Sequence, residues 1–193
     1  MNNQWNLPAS LSIGGVGYPI RTDFRDVLKI LKVLSDPDYL PETKAIVCVK
    51  GLFKDEIPPE HFEEALTAAY AFIDGAIGER EDNKKPKPTL MDWEQDAPLI
   101  IPAINKVLGQ EVRAIPYLHW WTFTGAYMNI DSDCLFSSIV SIRSKRAKHK
   151  KLEKHEQEFY KENKALIEIK AKESAEEREA KNELRRMLGF KER

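Results

Sequence analysis

The stretch LMDWEQDAPLIIPAINKVLG, Leu90 to Gly109, sets three carboxylates, Asp92, Glu94 and Asp96, directly before an apolar run. Read as chemistry, it is an acid/base or metal cluster. Read as structure, it is the charged mouth of a helix. Positions two apart on a helix point about 200° away from each other, so Asp92 and Glu94 cannot converge on one ligand. Asp92 and Asp96 share a face, but hard cations need several oxygen ligands. Asp92 followed by Gln95 fits an N-cap with its capping-box partner, and acids in a first turn offset the helix dipole. A proline past the first turn removes a hydrogen bond, which makes Pro98 and Pro102 awkward. A start nearer Asp96 places Pro98 within the first turn. Both starts lead to a helix closed by Gly109. The structural reading outweighs the catalytic one.

Working outward, the rest of the chain is also helical in pattern. In ASLSIGGVGYPIRTDFR, two short alternating runs around Leu11–Ile13 and Tyr18–Ile20 flank Gly14, Gly15 and Gly17, which predicts a small β-hairpin. Thr22 or Asp23 then caps a helix carrying Phe24, Val27, Leu28, Leu31 and Leu34, ending near Ser35. A second helix is expected from about Glu42 to Phe53, and a third from after Pro58-Pro59 to Gly75 or Gly78. GEREDNKKPKPT is nearly devoid of apolar residues and reads as a solvated connection. After the aromatic PYLHWWTFTGAYMNI, a further amphipathic helix is expected in DCLFSSIVSIRSKRAK, capped by Asp131 or Asp133. No internal repeat is present.

The last part of the chain is different in kind. From Arg143 to Arg193 there are 17 basic and 11 acidic residues, against 13 and 20 before it. Such a charge split marks an interaction tail. From about Lys150 the chain holds no Gly or Pro until Gly189 and is rich in helix formers, which predicts a long charged C-terminal helix. Heptads counted from Leu152 give one half-apolar seam and one charged seam, weak support for a coiled coil. The expected architecture is therefore mainly α: a compact helical body over residues 1–142 with an N-terminal hairpin, and a helical extension over 143–193.

Chemistry-bearing patterns are sparse. The two cysteines, Cys48 and Cys134, lie far apart without metal-site spacing and suit a reducing compartment. No signal-peptide pattern and no apolar run of membrane-span length occurs. His61, His119, His149 and His155 form no HxH or HExxH pattern, and GGVG lacks the phosphate-loop pattern. His119 beside Trp120 and Trp121 is expected to be packed, as are those tryptophans and Trp93. No enzyme activity, catalytic residue, metal or cofactor is expected. The run IRSKRAKHKKLEK, Ile142 to Lys154, holds seven Lys or Arg and is the best candidate for attracting phosphates. The acidic balance elsewhere and the lack of a recognition motif make nucleic-acid binding the weaker reading. Partner contacts are expected instead from Arg143, Lys145, Arg146, Lys148, Lys150 and Lys151, and from the apolar residues Phe159, Leu166, Ile169, Leu184, Met187 and Leu188.

Taken together, DWEQDAPLIIPAINKVLG, YLHWWTFTGAYMNI, FSSIVSIRSKR and the early YPIRTDFRDVLKIL resemble the bacteriophage gene-product-fifteen family of Gram-positive siphophages, from about Tyr18 to Lys164. Pro98 and Pro102 interrupt a helix that the resemblance implies to be smoother. The resemblance implies a gene between those of the major tail protein and the tail tape measure. It also implies a tail assembly chaperone that coats the tape measure protein in the host cell cytoplasm. The expected partners are the tape measure protein, the major tail protein and further copies of the chain, with no membrane. A structural component of the virion tail and a basic-tailed nucleic-acid binder are the alternatives. The resemblance brings no catalytic residues.

Overall fold

The computed structural model describes residues 6–75, 88–170 and 179. Strands β1 (Ser10–Ile13) and β2 (Val16–Pro19) pair antiparallel, with Ser10 opposite Pro19 and Ile13 opposite Val16. The two residues between them, Gly14 and Gly15, have φ of +57° and +79°. A two-residue hairpin loop with both residues at positive φ matches the right-handed twist of its strands, and glycine takes that conformation without a Cβ penalty. Ile13 and Ile20 anchor the hairpin in the core.

Helix α1 (Phe24–Leu34) starts at Asp23, whose carboxylate accepts from the Arg25 amide at 2.9 Å and from the Leu118 amide at 3.2 Å. One side chain thus caps α1 and fixes the backbone just before Trp120. Helix α2 (Pro41–Leu52) has proline in its first turn, where the missing N–H costs nothing. Its C-terminal carbonyls are held by the Arg21 guanidinium, which donates to Lys50, Gly51 and Phe53. A 3-10 turn, Pro59–His61, leads into α3 (Phe62–Gly75).

Helix α4 (Ala97–Leu108) begins after Asp96, so Pro98 sits in its first turn and only Pro102 lies inside. Gly109 closes it at φ +68°. Helix α5 (Trp120–Met128) follows, capped by His119: Nδ1 accepts from the Trp121 amide at 3.0 Å, so the proton sits on Nε2 and is donated to the Pro8 carbonyl. Trp120 is fully buried with its indole N–H on the Ile73 carbonyl, and Trp121 donates to Phe72. Trp93 packs against Trp120, Phe123 and Tyr127. The histidine and the three tryptophans serve packing, as their aromatic context predicts.

Helix α6 (Leu135–Ala147) is capped by Cys134, not by Asp131 or Asp133: its Sγ accepts from the Ser137 amide at 3.4 Å. Asp131 pairs with Lys106 on α4 instead, at 2.5 Å. Two helices follow, α7 (Lys154–Glu162) and α8 (Lys164–Ile167), separated by Asn163. Over residues 150–170 the expected single long helix is thus interrupted. The Asn163 side chain donates to the Phe159 carbonyl at 3.1 Å, an option that competes with continued helix. Most of the expected extension after Lys170, and the connection over 76–87, lie outside the described residues.

Neighbouring elements follow one another from the hairpin to α3, α2, α1, α5, α4, α6, α8 and α7. Ile13, Val27, Leu52, Ile104, Trp120 and other buried residues form the main core. A second small cluster of Ile139, Ile142 and Ile167 lies under Leu99, Leu152, Phe159, Tyr160 and Leu166. The boundary expected after Ile142 falls inside α6, and residues 143–170 pack back on the body through this second cluster.

Candidate functional site

The three carboxylates that open the Leu90–Gly109 stretch diverge. Asp92 accepts from the amides of Glu94 and Gln95 and stiffens the turn before α4. Glu94 pairs with Lys32 of α1 at 2.6 Å. Asp96 turns inward, 1% exposed, and meets Arg143 of α6, 7% exposed. Among the described residues no group of three His, Cys, Asp or Glu is placed to hold a metal ion.

Arg143 forms a fully satisfied junction. Its two terminal nitrogens grip Asp96 at 2.6 and 2.9 Å. The remaining donors go to the carbonyls of Ile167 at 2.6 Å, Leu166 at 3.1 Å and Leu90 at 3.1 Å. All five N–H donors of the guanidinium are thereby used. Gln95 completes the hold, donating to the Glu168 carbonyl at 2.8 Å and accepting from the Lys170 amide at 2.9 Å. Backbone groups of residues 166–170 are therefore tied to the mouth of α4. Where Arg143 was expected to meet a partner, the structure places it inside the chain. The pairing spans 47 residues. Its one trace in the sequence is that Arg143 stands four after Ile139 and next to Ile142, on the apolar face of its helix.

The rest of the basic run divides in two. Lys145 pairs with Glu156 at 2.6 Å, and Arg146 lies over the Tyr160 ring at 4.2 Å and reaches Glu168 at 3.4 Å. The Lys145 ammonium holds the Glu156 carboxyl below the usual range, and the Tyr160 hydroxyl does the same for Glu168. These cations bind the chain to itself. Lys148, Lys150 and Lys151 are exposed and make no ion pair among the described residues. They form a knuckle where α6 ends. The His149 amide donates to Arg146 and the Lys150 amide to Lys145, with His149 left-handed at φ +52°. That is a Schellman closure with histidine in the usual glycine position.

Of the apolar residues expected to meet a partner, Phe159 and Leu166 are half-buried over the second cluster, and Ile169 is half-buried beside it in sequence. Leu184, Met187 and Leu188 lie outside the described residues.

An apolar groove, which the sequence does not single out, runs between α1 and residues 88–97. Leu28, Leu31, Leu90, Met91, Trp93 and Ala97 line it, and its volume is about 820 Å³. The Lys32–Glu94 pair stands at its rim. The leucines of α1 carried its signal: Leu28 and Leu31 flank the buried Val27 and Ile30 and pack against the core while staying half-exposed, so α1 is apolar over more of its surface than the core covers.

The family model described as "Bacteriophage Gp15 protein" matches residues 4–169. The chain belongs to the bacteriophage Gp15 protein family. The match runs from before the hairpin to the residues that Arg143 and Gln95 hold, so it covers the body and residues 143–169 alike. As a Gp15 family member the chain is a phage structural or assembly-related protein. No curated protein and no solved structure matches it. Among the described residues no helix is long and apolar enough to cross a membrane.

Proposed function

We propose that this Gp15 family member is a tail assembly chaperone of a siphophage of Gram-positive hosts. It binds the tail tape measure protein in the host cytoplasm and keeps it soluble until the tail tube forms around it. The protein performs this role by binding, without catalysis. The observation that supports the reading is the open groove on α1, with Leu28, Leu31, Met91 and Trp93 in its lining. A long helical partner that aggregates when bare presents apolar side chains at i, i+3/i+4 and i+7, and an apolar groove beside a helix accepts such a row. Many weak contacts along one long partner then reinforce each other.

The test is co-expression with the tape measure protein encoded beside this gene, followed by sedimentation and pull-down. Wild-type chain is expected to hold the tape measure protein in the supernatant and to retain it on the resin. L31E/M91E, with unchanged helical circular dichroism, is expected to lose both. A tape measure protein that stays soluble and assembles tails without this chain sinks the proposal. Mass spectrometry of purified virions addresses the structural alternative, since a chaperone is absent there and a tail component is stoichiometric.

A further inference from the structure

We infer that copies of this chain associate head to tail, the basic knuckle at the end of α6 docking on an acidic corner of the next copy. The inference does not rest on the chaperone reading. The knuckle offers Lys148, Lys150 and Lys151, exposed and without ion pairs among the described residues, on a backbone fixed by the Schellman closure at His149. The corner is the segment leading into α3. There Asp55, Glu56, Glu60, Glu63 and Glu64 stand within ten positions, all exposed. Of these, Glu64 is engaged with the Gly14 amide and faces His61 at 3.6 Å. Asp55, Glu56, Glu60 and Glu63 make no ion pair among the described residues. The helix dipole accounts for Glu63 and Glu64 in the first turn of α3 but not for Asp55 and Glu56, which precede it by several residues.

Position within the fold turns complementarity into a prediction about assembly. The corner sits beside the hairpin, at one end of the succession of packed elements, and the knuckle joins α6 to α7 at the other. Among the described residues no ion pair joins the two within one chain. Like charge forbids knuckle meeting knuckle or corner meeting corner, so a symmetric pairing through either patch is disfavoured. The remaining arrangement puts the knuckle of one copy against the corner of another. Such a contact uses two different patches, leaves one of each free at the ends, and propagates as an open chain or closes as a ring.

Sedimentation velocity of the full chain over a range of concentrations tests this, at low and at high salt. Wild type is expected to rise with concentration above the 22.2 kDa monomer at low salt and to return towards it at high salt, where surface charges are screened. K148E/K150E/K151E and E56K/E60K, each checked for native circular dichroism, are expected to stay monomeric alone and to associate when mixed. Mixing the variants K150C and E60C, each with one cysteine added to the native Cys48 and Cys134, is expected to give a heterodimer linked between the two added cysteines under mild oxidation, whereas neither variant alone links at that site. Three outcomes overturn the inference. The first is a monomer at every concentration. The second is self-association that both charge reversals leave unchanged. The third is a monomeric wild type that binds DNA through the knuckle, with affinity falling steeply as salt rises.

Discussion

Arg143 is held by five acceptors at once, and that number changes what its removal does. Breaking a buried ion pair from one side leaves the other charge stranded, which costs about 3–5 kcal/mol. Arg143→Ala is therefore expected to lower stability by that amount in urea denaturation, with Asp96 left buried. Many buried pairs can be exchanged for apolar residues of similar size with little loss. This one differs, because the carbonyls of Leu90, Leu166 and Ile167 and the amide of Asp92 depend on the same two side chains. Unsatisfied buried groups cost about 1–3 kcal/mol each. The double variant D96L/R143M is thus expected to remain clearly destabilised, and a midpoint equal to wild type would show that these backbone groups find other partners. His149 presents the opposite case. A non-glycine residue in the left-handed region costs about 1–2 kcal/mol, so His149→Gly is expected to raise stability by about 1 kcal/mol. A loss instead would mean that the imidazole makes a contact that outweighs its backbone strain.

At the scale of elements, α7 and α8 add carboxylate contacts to a small apolar cluster, while α1 to α5 share the main core. Glu156 receives the Lys145 ammonium and the Glu153 amide, and Glu168 receives the Tyr160 hydroxyl. Both carboxyls titrate below their ordinary value when folded. A depressed folded pKa gives stability that is present above the unfolded pKa, about 4.3 for Glu, and that is lost as pH falls through the folded value. Acidification below about 4 is accordingly expected to open residues 154–167 before α1 or α5. Hydrogen exchange followed from pH 6 to pH 3 checks it; simultaneous loss of protection in α1, α5 and α7 counts against it. The same contrast explains what was legible in the sequence. Gly14-Gly15, the Asp23 cap, Pro41 and Gly109 act on their immediate neighbours, so local spacing reveals the elements they start and stop. The break at Asn163 turns on a side-chain bond to Phe159 that competes with helix, a choice that helix-former content does not reveal. Spacing puts Arg143 on the apolar face of its helix, but its partner Asp96 lies 47 residues away and no local pattern names it. The groove on α1 lies between these cases. Leu28 and Leu31 are visible as apolar residues, but nothing in their spacing says that the core would cover them only in part.

For the whole molecule, the charge split near Ile142 suggests a body with a detachable tail, and the packing of residues 143–170 argues for a different unit. A chain ending at Ile142 would keep α6 only as far as its buried Ile142, remove Arg143 from Asp96 and uncover Ile139 and Leu99. The stranded carboxylate alone costs several kcal/mol, and a small domain has about 5–15 kcal/mol to lose. Such a chain is expected to be expressed as insoluble or partly folded protein. A chain ending at Lys170 retains Arg143, its carbonyl acceptors on Leu166 and Ile167, and the Gln95 contacts to Glu168 and Lys170. It is expected to unfold in one cooperative transition with a midpoint within a few degrees of full length. Comparing the two truncations by thermal denaturation decides where the folded unit ends. Should the chain ending at Ile142 melt cooperatively near full length, then Asp96 must reach water once its partner is gone, and residues 143–170 would be a separable arm. If only the longer truncation folds, the arm begins after Lys170, and any effect of removing it on partner binding belongs to residues 171–193 alone.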